Sequence, residues 1–150
     1  MPDKETLERA EKDKEEGKSP STQAGEFVRE EMDHIREGKH GAQSTKQAIA
    51  IGLSKARRAG VKLPPPKKGT TSSRTRRQAA RDVSKAESSS RRETSRTRSR
   101  ATRGALKREG HGAASRSALS RQARGAAAKR SRSARSQSAR KAAATRKRRK

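Results

Sequence analysis

The sequence predicts a mostly α-helical protein: a small helical hairpin head followed by a long, intrinsically disordered basic tail that turns helical in part when bound. Three observations predict this. The run Ser44 to Gly60 is dense enough in aliphatic side chains to need burying, and helix start and stop signals bound it. Charge is divided unevenly, with 13 Lys+Arg against 12 Asp+Glu in residues 1–63 and 29 against 4 in residues 64–150. Beyond Pro64-Pro65-Pro66 the sizeable aliphatic side chains are only Val83, Leu106 and Leu119, too few to offset the entropy of ordering that length. The expected organisation is a charged leader at 1–19, the hairpin domain at 20–63, a Pro/Lys/Gly/Ser/Thr linker at 64–73 and the tail at 74–150.

Taken in order, residues 3–16 pair opposite charges four apart, Lys4 with Glu8 and Glu5 with Arg9 among them. Such pairs add a few tenths of a kcal/mol each to a solvated helix, to about 0.5 kcal/mol at most. Leu7 and Ala10 are its candidate docking residues, and Gly17 with Ser19-Pro20 ends it. The bland reading is a frayed, solubilising helix; the functional one is an acidic patch that shields the tail when no polyanion is present.

A second helix is expected from near Ser21 or Thr22 to Glu37, with Gly38 as its stop. Val28, Met32 and Ile35 share one face, with Phe27 at its edge. The loop 38–43 then reverses the chain. In the third helix Ser44 suits an N-cap, Gln47 can return a capping-box contact, and Gly60 suits a left-handed C′ position followed by apolar Val61. Ile49, Leu53 and Ala56 face one way, Ile51 nearly the opposite way, and Gly52 lets a neighbour approach closely. The predicted head core is therefore Phe27, Val28, Met32, Ile35, Ile49, Ile51, Leu53 and Ala56. Each buried side chain contributes about 1.5–3 kcal/mol at best. That leaves the head marginal alone, and Ile51 on its far side points to support from Leu7, Val61 or Leu63, or from self-association with a second copy.

The tail is made of Arg, Ser, Ala, Thr and Lys. Its Ala- and Arg-rich stretches near 74–87 and 116–130 have helix propensity but repel themselves, which predicts coil when free and partial helix on phosphate. Short echoes recur along the chain. Arg108-Glu109-Gly110-His111-Gly112-Ala113 echoes Arg36-Glu37-Gly38-Lys39-His40-Gly41-Ala42, and Arg77-Gln78-Ala79 and Arg121-Gln122-Ala123 echo Lys46-Gln47-Ala48. Composition this biased produces such matches by chance as well as by duplication.

The string Lys46-Gln47-Ala48-Ile49-Ala50-Ile51-Gly52-Leu53-Ser54-Lys55-Ala56 resembles the core signature of a bacterial family of short basic proteins with a domain of unknown function, some of them labelled DNA-binding or histone-like. Glu26 to Met32 and Val61 to Pro66 resemble it too, so the likeness spans about residues 20–66. It implies a bacterial origin and a nucleic-acid-related role, and it supplies no catalytic or binding residues to carry over.

Most site chemistry is excluded by spacing. His34, His40 and His111 are not paired with another His or with Cys at ligand spacing, and a zinc site needs three or four convergent ligands, so no metal or cofactor is expected. Gly38-Lys39 lacks the preceding strand and the following Ser/Thr of a phosphate loop. Serines are abundant, but no folded scaffold holds a base beside them, so no enzyme activity and no small-molecule substrate are expected. Lys39 and Lys46, beside the N–H groups at the start of the third helix, are candidates for one backbone phosphate. There is no cysteine, no apolar run of membrane-spanning length, and an acidic polar N-terminus that reads against a secretory signal.

What remains is polyanion binding. The 29 basic residues of 64–150 are 21 Arg and 8 Lys, an excess that favours bidentate phosphate contact. Stacking on single strands needs aromatic rings, and membrane-surface helices need Trp, Phe or Leu on one face; 64–150 has no aromatic residue. The expected partner is double-stranded DNA, bound by its backbone in a nucleoid-associated, histone-like manner. The candidate residues are Arg96, Arg98, Arg100, Arg103, Arg121, Arg124, Arg130, Arg132, Arg135, Arg146, Lys147, Arg148, Arg149 and Lys150. The alternatives are an RNA-binding or ribosome-associated protein, and a protein-interaction head with a basic targeting tail. The expected location is the bacterial cytoplasm at the nucleoid, or the nucleus in a eukaryote.

Overall fold

Ser44 opens the helix on which the rest packs: its Oγ accepts the Gln47 N–H at 3.2 Å, while Gln47 Oε1 accepts the Gln43 N–H at 2.7 Å, one residue before the Ser44 N–H that a capping box would use. This helix, α3, runs Thr45–Arg58 in a computed structural model that describes residues 2–87 and 95–148. Gly60, at φ +96°, ends it in a Schellman turn: Val61 N–H bonds Ala56 O and Gly60 N–H bonds Arg57 O. α1 spans Lys4–Glu15 and α2 Pro20–Arg36, the latter capped by Ser19 with Pro20 at its first position. Pro20 thus starts α2 rather than merely ending α1. α4 spans Ser73–Glu87, α5 Arg96–Arg108, a 3₁₀ turn Gly112–Ala114, α6 Arg116–Ala128 and α7 Arg132–Arg148. The chain is mostly helical, with no β-strand among the described residues.

The chain divides into a unit of residues 1–115 and a unit of residues 116–150. In the first, α2 and α3 form an antiparallel hairpin whose seam on α3 is Ala48, Gly52 and Ala56, all buried. The seam is narrow because Gly52 has no side chain; a Cβ there would lie 2.7 Å from Val28 Cα. Phe27, Met32, Ile35 and Ala56 are buried, whereas Val28, Ile49, Ile51 and Leu53 flank the seam half-buried. Close approach of two backbones leaves room only for small side chains between them, so the larger ones lie alongside. Leu53, Val61 and Leu63 pack on a cluster of Ala10, Ala24, Phe27 and Ala56. α1 buries Thr6, Ala10 and Asp13 rather than Leu7, which stays 41% exposed.

A long disordered basic tail is not shown: residues 73–87, 96–108, 116–128 and 132–148 are helical. Local chemistry accounts for it. Ser72, Ser95 and Ser131 accept N–H bonds from Thr75, Arg98 and Ala134, capping α4, α5 and α7, and the interiors are rich in Ala and Arg. α4 is also docked. Its Asp82 is 1% exposed and accepts from Ser54 Oγ, from Arg58 Nε at 2.9 Å and from Gln78 Nε2 at 3.1 Å, while Ala79 is buried beside it. Residues 106–114 are tied to the hairpin by backbone: Gly41 N–H bonds Leu106 O, Ala42 N–H bonds Gly110 O, and Thr45 Oγ1 donates to Ala113 O. Gly41 is required there, since a Cβ would lie 2.0 Å from the Glu109 carbonyl oxygen. The 36–42 and 108–113 echoes thus meet, yet differ in conformation. Glu37 leaves α2 still helical at ψ −4°, whereas its counterpart Glu109 leaves α5 extended at ψ 152°.

In the unit 116–150, α6 buries no residue, and among the described residues only Ala118, Leu119, Gln122 and Ala134 are half-buried.

Candidate nucleic-acid interface

α5 gives the basic side chains an order. At about 100° per residue Arg96, Arg100, Arg103 and Lys107 fall within an arc of about 60°. These four line one shallow depression with Ser99 and Gly104, where the small side chains keep the stripe open. Arg98 points from the opposite side of the helix by the same geometry. Lys107 completes the stripe without standing out in the sequence; the spacing 96, 100, 103, 107 is its signal.

Arg121 and Arg124 lie on α6, Arg130 between α6 and α7, and Arg132, Arg135, Arg146, Lys147 and Arg148 on α7; Arg149 and Lys150 lie outside the described residues. Arg96, Arg98, Arg100 and Arg103 are exposed, as are Arg121, Arg124, Arg130, Arg132, Arg135, Arg146 and Lys147. α7 distributes its cations around the whole helix rather than along one face. Residues 116–150 contain 14 Lys+Arg and no Asp or Glu. Among the described residues, no Arg or Lys from 96 to 147 enters an ion pair.

The head treats its charges differently. Arg9 pairs with Glu26 at 2.8 Å and Lys18 with Asp13 at 2.6 Å. Lys55, half-buried on α3, lies 3.0 Å from Glu30 Oε1 and 2.7 Å from Glu31 Oε2. Burial alone would depress the Lys55 ammonium, but the carboxylates of Glu31 and Glu30 outweigh it and raise its pKa. Burial likewise opposes ionisation of Glu30, and hydrogen bonds from Lys55 and the Asp3 N–H override it, lowering that pKa. Arg57 is buried and donates to Leu63 O and Pro64 O, and burial lowers its pKa.

Of the two phosphate candidates in the head, Lys39 pairs with Glu37 at 2.9 Å and Lys46 is exposed. The start of α3 beside them faces the 3₁₀ turn, through the Thr45 bond to Ala113 O. His34 and His40 are not surface side chains: their rings meet edge-on, with centroids 6.2 Å apart, against Glu31. The sequence spacing conceals this, because the turn at Gly38 folds His40 back onto α2.

A family model described as a family of unknown function (DUF6496) matches residues 18–68. That segment covers α2, α3 and the proline run, and stops before α4, α5, α6 and α7. No curated protein and no solved structure matches the chain.

Proposed function

We propose that this protein binds double-stranded DNA without sequence preference and without catalysis, by neutralising backbone phosphates with the cations of α5, α6 and α7. The observation that carries the reading is the set of exposed Arg and Lys side chains from 96 to 147 that have no acidic partner among the described residues. A cation already paired within the fold gains little from a phosphate, whereas an unpaired one releases counterions from the duplex as it binds. The absence of Tyr and Trp from the chain, and its single Phe in the head core, disfavour base stacking as the mode of contact.

Helices α6 and α7 bury almost nothing and repel themselves along their length, so in the free protein they are only weakly held and phosphate completes them. Compaction follows if the head pairs with a second copy, since one particle then engages two duplexes.

The test is fluorescence anisotropy of the full chain with random-sequence duplex DNA and with structured RNA across a salt series. Equal affinity for unrelated duplexes and a steep salt slope are expected. A tenfold preference for RNA would replace this reading with the RNA-binding one. Light scattering of the free protein checks pairing: a strict monomer at all concentrations removes bridging.

A further inference from the structure

Two histidines and a buried glutamate in the hairpin hold an arrangement that neither nucleic-acid binding nor packing explains. Glu31 is completely buried, and neither of its carboxylate oxygens receives a hydrogen bond of proper geometry. Lys55 Nζ lies 2.7 Å from Oε2, and His40 Nε2 lies 3.2 Å from Oε1.

The hydrogen bonds on the far sides of the two rings decide their tautomers. His40 Nδ1 is 3.0 Å from the Gly41 carbonyl oxygen, which can only accept, so Nδ1 bears the proton. In the neutral ring, Nε2 then directs a bare electron pair at the Glu31 carboxylate, an acceptor facing an acceptor. His34 Nε2 is 3.0 Å from Asp3 Oδ2, so it too is the protonated nitrogen and Nδ1 is left bare. One ligand atom from each of Glu31, His34 and His40 lies within 4.8 Å of the others. Each ring has its other N–H anchored by a carbonyl or a carboxylate, the arrangement that orients metal-bound histidines.

Charge points the same way. Asp3, Glu30 and Glu31 bring three negative charges to the cluster and Lys55 one positive, leaving a deficit that a divalent cation matches. A tetrahedral ion with bonds of about 2.0–2.1 Å sets its ligand atoms about 3.3 Å apart. The 3.2 Å between His40 Nε2 and Glu31 Oε1 is already that edge.

We propose that Glu31 Oε1, His34 Nδ1 and His40 Nε2 bind one zinc ion, with Glu31 Oε2 remaining on Lys55. Two imidazoles and one carboxylate suit zinc rather than magnesium or calcium, which take oxygen ligands. The ion would fasten the last turns of α2 to the loop that leads into α3, a staple for a head with a small core.

The experiment uses the untagged full chain, stripped with chelator and titrated with zinc against a chromophoric competitor. One equivalent bound with Kd of about 1 μM or tighter is expected, together with a higher melting temperature. Cobalt on the unaltered chain should give the visible absorption bands of a four-coordinate ion. His40→Gln should weaken binding at least ~100-fold, Asp3→Ala by about 10–100-fold because the His34 ring is no longer anchored, and His111→Ala not at all. No binding tighter than about 100 μM, octahedral cobalt spectra, or affinity unchanged in His40→Gln would each overturn the site. None of these readouts depends on nucleic acid.

Discussion

The head and the basic helices use the same side chains for opposite ends. In residues 2–63 most cations are matched to carboxylates, as Arg9 is to Glu26, Lys18 to Asp13 and Lys55 to Glu30 and Glu31. From Arg96 to Lys147 none is matched among the described residues. In the head, these three pairings help fix where helices sit, because Arg9–Glu26 joins α1 to α2, Lys55 joins α3 to α2, and Lys18–Asp13 closes the turn after α1. From Arg96 to Lys147 the cations are presented outward, while Ser95 and Ser131 cap α5 and α7 and Ala is frequent in α6 and α7. A cation's role here is read from whether its partner is inside the molecule.

Removing the unmatched cations should have the largest effect on binding. A chain ending at Ser115 lacks the 14 Lys+Arg of residues 116–150. Its affinity for duplex DNA at low salt should fall by about 10³-fold or more, as measured by anisotropy, since every phosphate left unneutralised keeps its condensed counterions. Replacing Arg96, Arg100, Arg103 and Lys107 together with Gln should weaken binding less and flatten the log–log salt slope by about one for each residue. Scattering the same number of Gln substitutions over α7 should flatten it equally, if alignment on one face is immaterial to backbone binding.

The head should respond in stability rather than in binding. Gly52→Ala drives a Cβ to within 2.7 Å of Val28 Cα and should destabilise the hairpin by about 1–3 kcal/mol in urea melts, with the salt slope unchanged. Asp82→Ala removes the acceptor of Ser54, Arg58 and Gln78, and should cost about 1–2 kcal/mol, read as faster amide exchange confined to α4. The smallest effect should be on pH. Lys18 holds the Glu16 carboxyl below its ordinary value of 4.5, so this interaction contributes above that pH and disappears as pH falls through the lowered value. NMR shifts at the end of α1 in acid report it directly.

Legibility in the sequence follows how local each signal is. Ser44, Gln47 and Gly60 mark α3 because caps act within four residues, and Gly52 marks the close crossing because no other residue allows it. α4 is harder to see, since its docking rests on Asp82, one acid in a segment dominated by arginine. The 106–114 segment is hidden for another reason: it binds Gly41 and Ala42 through main-chain groups, which leave no side-chain signature. The Glu31, His34 and His40 cluster is half legible. The first two stand three apart on one helix face, but His40 arrives only through the left-handed turn at Gly38, and Asp3 through the docking of α1.

The most direct measurement of the central claim is the affinity of the full chain for one random-sequence duplex as sodium chloride rises. Unpaired cations acting on phosphates predict a fall of about 10³–10⁵-fold between 50 and 200 mM, the behaviour of six to ten phosphate contacts. An affinity that stays level over that range would contradict the account.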